Sequence, residues 1–269
     1  MATYLIGDVH GCFRTFRKLL SRIDFKRSRD ELYFVGDLVN RGPRSLDMLR
    51  WAFDHKDIVT PVLGNHELHL LGRARGHRSD KKTDTFDELL DARDADKLLR
   101  WVRSWPLVIQ SEQLLIVHAG VHPAWTLDET LELSDKAEAR LRDKRGNDLI
   151  DALHDKNPAD WSETLRGQDR ACAAIRVLTR ARLFRNKDLT QIAFAGSPDE
   201  APQGCAPWYK LLDESFRKTT VITGHWAALG YHASKRAISI DTGCVYGGTL
   251  SALRLDKLRL TQEALCDTF

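Results

Sequence analysis

Five short polar motifs in this chain follow apolar runs and carry glycine: Gly7-Asp8-Val9-His10-Gly11, Gly36-Asp37-Leu38-Val39-Asn40-Arg41-Gly42, Gly64-Asn65-His66-Glu67, His118-Ala119-Gly120 and Gly224-His225. Asp8 and His10 are two apart, so on extended backbone they share a face and can clasp one ion. Asp37 falls at the end of an apolar run and is placed as the carboxylate that two ions share. Asp8, His10, Asp37, Asn65, His118 and His225 make an oxygen and nitrogen donor set without sulfur. Such a set suits manganese, iron, cobalt or zinc better than calcium or an iron–sulfur cluster. Six ligands exceed the needs of one catalytic zinc and suit two ions about 3.5–4 Å apart. Such a pair lowers the pKa of a bridging water far below ~15.7, and the hydroxide can attack phosphorus in line. Arg41 would share the charge that builds on the phosphoryl oxygens. A lone Asp-x-His is more often coincidence than site. The weight lies in the conjunction, with every motif after an expected strand.

The elements that must position these residues follow from hydrophobic spacing. Residues 3–6, 31–35 and 58–63 read as strands. Phe13, Phe16, Leu19, Leu20 and Ile23 have helical spacing, as do Leu46, Leu49, Trp51 and Phe53, with Ser45 expected to cap the second helix. Repeated strand–motif–helix order predicts parallel strands joined by right-handed crossovers, so that the motifs line one sheet edge. Open α/β sheets place their sites at that end of the strands. Residues 86–105 and most of 126–195 read as helical, and 197–204 as a loop. Strands at 114–117, 220–223 and 238–240 deliver His118, His225 and Asp241, and a hairpin closes the chain. The expected organisation is one α/β domain over 1–269, with helical cap insertions at about 73–110 and 126–195.

The 269 residues, 42% hydrophobic and 29% charged, have an ordinary globular composition. No apolar run approaches a membrane span. The first residues read as strand, not signal peptide. Five cysteines without paired or metal-ligand spacing favour a reducing compartment, hence a cytoplasmic location. A net charge of +3 suits an anionic ligand without demanding nucleic acid.

Gly-Asp-Val-His-Gly, Gly-Asp-Leu-Val-Asn-Arg-Gly and Gly-Asn-His-Glu, in this order, resemble the calcineurin-like metallophosphoesterases, specifically their phosphoprotein phosphatase branch. The resemblance implies a central β-sandwich flanked by helices, with two metals at one edge. It assigns Asp8, His10 and Asp37 to one metal and Asp37, Asn65, His118 and His225 to the other. His66 then matches the general acid and Arg41 the phosphate-binding arginine. Leu63 to Leu71, Ala159-Asp160-Trp161-Ser162, Leu178-Thr179-Arg180-Ala181-Arg182, residues 197–202, Gly224-His225-Trp226-Ala227, Asp241-Thr242-Gly243-Cys244 and residues 246–250 resemble the bacterial symmetrical diadenosine tetraphosphatases. That closer likeness implies cleavage of diadenosine tetraphosphate to two ADP with Mn2+ or Co2+, and RNA ends capped by such nucleotides as further substrates.

Asn40 stands where many protein phosphatases of the branch carry Asp. Asn40 can hydrogen-bond His66 but cannot stabilise its imidazolium by charge. ADP is a good leaving group, since a terminal phosphate has a second pKa of only ~6. Asn40 therefore marks a polyphosphate substrate, and His66→Ala should harm aryl or alkyl phosphates more than diadenosine tetraphosphate. Arg180 or Arg182 is expected to clamp a phosphate. Trp161, Trp208 and Tyr209 are candidates for stacking on adenine, with core packing the default. The run Arg73 to Arg78 with Lys81 and Lys82 could steer a polyanion. The rival readings are a protein serine/threonine phosphatase and a non-catalytic binding module for nucleotides or capped RNA.

Overall fold

Alternation along the first strand decides which layer each side chain enters. In β1 (Thr3–Ile6), Leu5 joins one apolar cluster while Tyr4 and Ile6 join another, as a two-residue period requires. The computed structural model describes residues 1–77, 83–155 and 159–269. From β1 the chain runs through α1 (Phe13–Arg22) to β2 (Glu31–Phe34), then through α2 (Ser45–Asp54) to β3 (Val59–Pro61) and α3 (Asn65–Ala74). The three strands pair in parallel, β1 to β2 to β3, as the strand–motif–helix order predicts. α1 buries Thr15, Phe16, Leu19 and Leu20 and leaves Arg17 and Lys18 exposed. That division is the amphipathic pattern of a helix lying on a sheet.

The middle of the chain departs from expectation. The helical reading of 86–105 resolves into α4 (Asp87–Leu90) and α5 (Ala95–Arg103), and an unexpected strand β4 (Val108–Ser111) pairs antiparallel with β5 (Leu114–Val117). Between residues 126 and 180 the described helices are α6 (Leu127–Arg142), α7 (Gly146–Ala152) and α8 (Gly167–Arg180). Beyond Arg180 the helical reading fails. β6 (Leu183–Arg185), β7 (Gln191–Ile192) and β8 (Cys205–Pro207) form a three-stranded antiparallel sheet. Strands this short carry too few residues to show a period.

The remaining strands are β9 (Thr220–Thr223), β10 (His232–Ala233), β11 (Ala237–Ser239), β12 (Thr249–Arg254) and β13 (Arg259–Ala264). β12 and β13 are the closing hairpin, and β12 lies antiparallel beside β1. One sheet runs β13-β12-β1-β2-β3 and the other β10-β11-β9-β5-β4. Leu5, Val35, Val62 and Leu253 from the first meet Ile116, Ile222, Ile238 and Ile240 from the second in one buried cluster. The two sheets are therefore packed face to face. Burying each such side chain is worth roughly 1.5–3 kcal/mol.

β1, β2 and β3 end at the first three motifs. β5 and β9, parallel neighbours, end at His118 and His225. One end of the sandwich thus collects all five motifs.

Candidate metal centre

Nine residues other than glycine have a left-handed backbone among the described residues, and His10, Asp37, Asn40, Arg41 and His225 are five of them. Asp, Asn and His tolerate that region best, yet it still costs of order 1–3 kcal/mol per residue. The chain must reverse sharply at each strand end to carry a side chain over the sheet edge. Glycine serves where no side chain fits. A Cβ on Gly64 would lie 2.2 Å from Asp37 Oδ1, and one on Gly224 would lie 1.9 Å from Asp8 Oδ1.

The convergence is close. Asp37 Oδ2 lies 3.4 Å from His118 Nε2, 3.7 Å from His10 Nε2 and 3.9 Å from His66 Nε2. Asp8 Oδ2 is 4.0 Å from His10 Nε2, and Asp8 also accepts the main-chain N–H of His225 at 3.1 Å. The rings of His118 and His225 are 5.0 Å apart. His118 Nε2 is 3.1 Å from Asn65 Oδ1. Compact ligand groups form at His10, Asp37 and His66, and at Asp37, His118 and His225, with Asp37 common to both. All six sequence-predicted ligands are brought together, and each is at most 9% exposed.

The histidine tautomers test whether metal fits. His118 Nδ1 faces the Val35 carbonyl at 2.6 Å and His10 Nδ1 the Val39 carbonyl at 3.2 Å. A carbonyl only accepts, so each Nδ1 carries the proton, and in the neutral imidazole each Nε2 offers its lone pair to a metal. Those lone pairs point towards Asp37, and that of His118 also towards Asn65. Electron-rich atoms so placed would be stabilised by a cation between them. His225 Nε2 is buried with no hydrogen-bond partner. The residues therefore fit divalent ions on either side of Asp37.

The buried groups shift one another's titration. Burial, Asp241 and Asp37 push Asp8 well above the usual carboxylate range. Burial also raises Asp37, but the imidazoles of His118, His66 and His10 outweigh it and hold the group well below that range. Burial would lower His118, yet Asp37 outweighs it and raises that imidazole. Burial, Arg182 and His118 hold His225 well below the ordinary histidine value.

Glu67 belongs to the Gly64-Asn65-His66-Glu67 motif, but its role appears only in the fold. Its carboxylate accepts the N–H groups of Asp37 and Leu38, each at 2.8 Å, and of Gly64 at 3.0 Å. It thereby pins the loop that presents Asp37. Its signal was its place, three residues into the turn after Gly64, where a glutamate reaches back to free N–H groups. Burial and Asp37 raise its carboxyl to about 7. Asp241 was likewise missed. It is buried, accepts the Gly243 N–H at 3.0 Å and lines the same cavity as Asp8 and Asp37. Burial raises its pKa.

Several expectations need correction. Asn65 and His66, expected at the end of the 58–63 strand, open α3, and the first helical residues present them about 100° apart. Ser45 does not cap α2. Arg44 holds that position, because Ser45 Oγ accepts the Asn40 N–H at 2.8 Å. Asn40 does not bond His66. Its Oδ1 accepts the N–H of Arg41 at 2.8 Å and of Thr85 at 3.1 Å, and its Nδ2 donates to Asp84 at 3.0 Å. His66 Nδ1 is left buried without a partner.

Arg41 donates to Thr83 Oγ1, and its Nε is buried without a partner. Arg180 ends α8 and lines a cavity beside His225. Arg182 donates to the carbonyls of Phe194 at 2.9 Å and His225 at 2.8 Å. Trp161 lines that same cavity. Trp208 is core, only 2% exposed, and Tyr209 lines neither cavity at the centre. Within the basic run, Arg73 pairs with Asp84, and Arg75 and His77 pair with Asp151. These pairs leave little free charge for steering there. Arg78, Lys81 and Lys82 lie outside the described residues.

Comparison with known proteins agrees with this geometry. The profile of the calcineurin-like phosphoesterases matches residues 1–196. A Chromobacterium violaceum protein named symmetrical bis(5'-nucleosyl)-tetraphosphatase is 40% identical, over 97% of this chain and 94% of its own. A Vibrio cholerae protein of the same name is 40% identical over 98% and 99%. A crystal structure ascribed to a diadenosine tetraphosphatase shares the fold at a TM-score of 0.66 and 23% identity, covering 99% of this chain and 94% of its own. A serine/threonine phosphatase from Saccharomyces cerevisiae shares it at 0.57 and 14%, covering 100% and 81%. With its metal-site motifs gathered at one end of a β-sandwich and relatives this similar over nearly its full length, the chain belongs to the calcineurin-like phosphoesterase family, in the group of the symmetrical bis(5'-nucleosyl)-tetraphosphatases.

Proposed function

We propose that this chain hydrolyses dinucleoside tetraphosphates symmetrically, taking diadenosine tetraphosphate to two ADP at a centre of two Mn2+ or Co2+ ions that share Asp37. The observation that carries the reading is one buried carboxylate oxygen within 3.4–3.9 Å of three imidazoles. Relatives named for this substrate support it over nearly the full chain. Asp8, His10 and Asp37 would hold one ion, and Asp37, Asn65, His118 and His225 the other. When bound, such ions supply Lewis-acid charge and a water of lowered pKa.

The chain's own residues do the rest. The Val39 and Val35 carbonyls fix the imidazoles of His10 and His118. Glu67 fixes the Asp37 loop. Arg41 would orient the phosphoryl oxygens and neutralise charge on them. His66 would face the leaving group, which as ADP needs little protonation to depart. That low demand is consistent with an Asn40 turned to Asp84 instead of to His66. The same chemistry extends to RNA ends carrying a nucleoside tetraphosphate cap. We read residues 1–269 as one phosphoesterase unit whose insertions, at about 73–110 and 126–195, form a cap, and we place the enzyme in the cytoplasm. Among the described residues no helix is long and apolar enough to cross a membrane.

Product analysis of the Mn2+-loaded protein with diadenosine tetraphosphate tests the proposal. ADP as sole product is expected. ATP plus AMP, or turnover of phosphopeptides alone, would overturn it.

A further inference from the structure

Two cavities meet at the metal-site residues. One, of about 530 Å3, contains Asp8, His10, Asp37, His66 and Tyr246. The other, of about 570 Å3, lies between α8, residues 159–161 and residues 191–195. Arg182, Ala195 and His225 line both. The second cavity holds none of the sequence-predicted metal ligands except His225, yet it is lined by Arg176 and Arg180 as well as Arg182.

The three arginines differ in what they already hold. Arg182 spends both terminal nitrogens on the Phe194 and His225 carbonyls, so it fixes the backbone of His225. Arg176 Nη1 is buried without a hydrogen-bond partner. The Arg180 side chain, one helical turn further on, faces the same way, is exposed to the cavity, and has no hydrogen bond or ion pair among the described residues. The buried Arg176 donor left unmet costs about 1–3 kcal/mol, and a ligand oxygen would remove that cost. Among the described residues Asp160 is the one carboxylate in the lining, against three guanidinium groups. The cavity is therefore built for an anion. Its walls are also partly aromatic. The Arg170 guanidinium sits 4.5 Å from the Trp161 ring centroid and covers one face, whereas Phe194, at right angles to Trp226 with centroids 6.2 Å apart, lines the cavity.

We propose that this second cavity is the subsite for one nucleoside diphosphate half of the substrate, with Arg180 and Arg176 on its phosphates and Phe194 beneath its base. The phosphoryl group under attack then lies across His225 in the first cavity. A chain of four phosphates spanning both cavities would be cut at its middle. The inference rests on the hydrolase reading above and names the residues that set its substrate length.

The test uses the Mn2+-loaded protein, with calorimetry of ADP and of pyrophosphate beside kinetics on diadenosine tetraphosphate and 4-nitrophenyl phosphate. Arg180→Ala and Arg176→Ala should each weaken ADP binding at least tenfold. Each should lower the kcat/KM ratio of dinucleotide over aryl phosphate by a similar factor, mainly through KM. Arg180→Lys should recover part of the loss, which a folding defect would not allow. Phe194→Ala should weaken ADP several-fold more than pyrophosphate, since stacking acts on the base. ADP affinity unchanged within twofold, or proportionate loss on both substrates, would overturn the subsite. Wild-type protein that binds ADP through Arg180 but leaves diadenosine tetraphosphate intact would overturn the substrate reading and keep the subsite.

Discussion

The sheet edge and the cavity beneath α8 lie side by side and are built on opposite plans. At the edge, irregular backbone does the placing. His10, Asp37, Asn40, Arg41 and His225 all turn left-handed, and carbonyls or Glu67 lock what they present. In the cavity, a regular helix does the placing. Arg176 and Arg180 stand four residues apart on α8, with ordinary backbone. The edge is held in place by the chain's own bonds. The cavity keeps donors in reserve for a ligand. Rigid preorganisation belongs where charge develops in the reaction, and adaptable arginines belong where binding is read.

Removing the shared carboxylate should separate the two regions most sharply. Asp37→Ala should lower kcat/KM by roughly 10^3-fold or more, since metal charge is worth several kcal/mol in the transition state. Metal analysis should find the bound ions reduced. Calorimetric binding of ADP to the cavity should fall much less. If metal content and turnover both survive, the two-ion geometry around residue 37 is wrong.

Glu67 comes next, because it tests whether the edge depends on its supporting carboxylate. Glu67→Ala leaves three buried N–H groups unmet, at about 1–3 kcal/mol each. Loss of such support typically costs 10–100-fold in metal affinity. We expect both a large fall in melting temperature and weaker Mn2+ binding by titration. A variant that melts early but binds metal normally would make Glu67 a purely structural residue.

How legible each region is follows from the same contrast. The edge is readable because irregular backbone needs glycine, so each candidate ligand has a glycine within two residues as a marker. The parallel order of β1, β2 and β3 was readable from the apolar run before each motif. The cavity had no such marker. Arg176 looks like any arginine on an amphipathic helix, and Phe194 falls just after β7, a strand of two residues. Its meaning comes from packing between segments far apart in the chain. Asn40 shows the limit at the edge itself. Its type was informative, but its partner Asp84 is 44 residues away and no local pattern announces it.

That partner gives a smaller prediction. Asn40→Asp would set a carboxylate 3.0 Å from Asp84 Oδ1, where an amide donor now stands. Like charges so close destabilise, and the Arg41 turn should loosen. A loss of about 1–3 kcal/mol is expected, seen as a drop of several degrees in melting temperature. Unchanged melting would mean that residues 83–85 can move away freely.

The smallest effect concerns the far end of β1, where stability can be separated from the site. Asp30 is buried and accepts the N–H groups of Ala2 and Lys26, each at 3.0 Å, and the Arg29 guanidinium. The Arg29 bond leads in lowering its pKa to about 2, and the two backbone bonds add to it against the opposing effect of burial. The folded value lies below the unfolded value of about 3.9. The carboxylate therefore stabilises the fold above about pH 4, and that contribution is lost as pH falls through about 2. Asp30→Asn should cost about 1 kcal/mol near neutrality, since Arg29 is half exposed and its share is screened. The gap in urea midpoint between parent and variant should hold from pH 7 to 5 and close between pH 4 and 2. Metal affinity at neutral pH should not change, because nothing at the motif end of β1 touches Asp30. A gap that persists at pH 2 would show that Asp30 acts through packing alone.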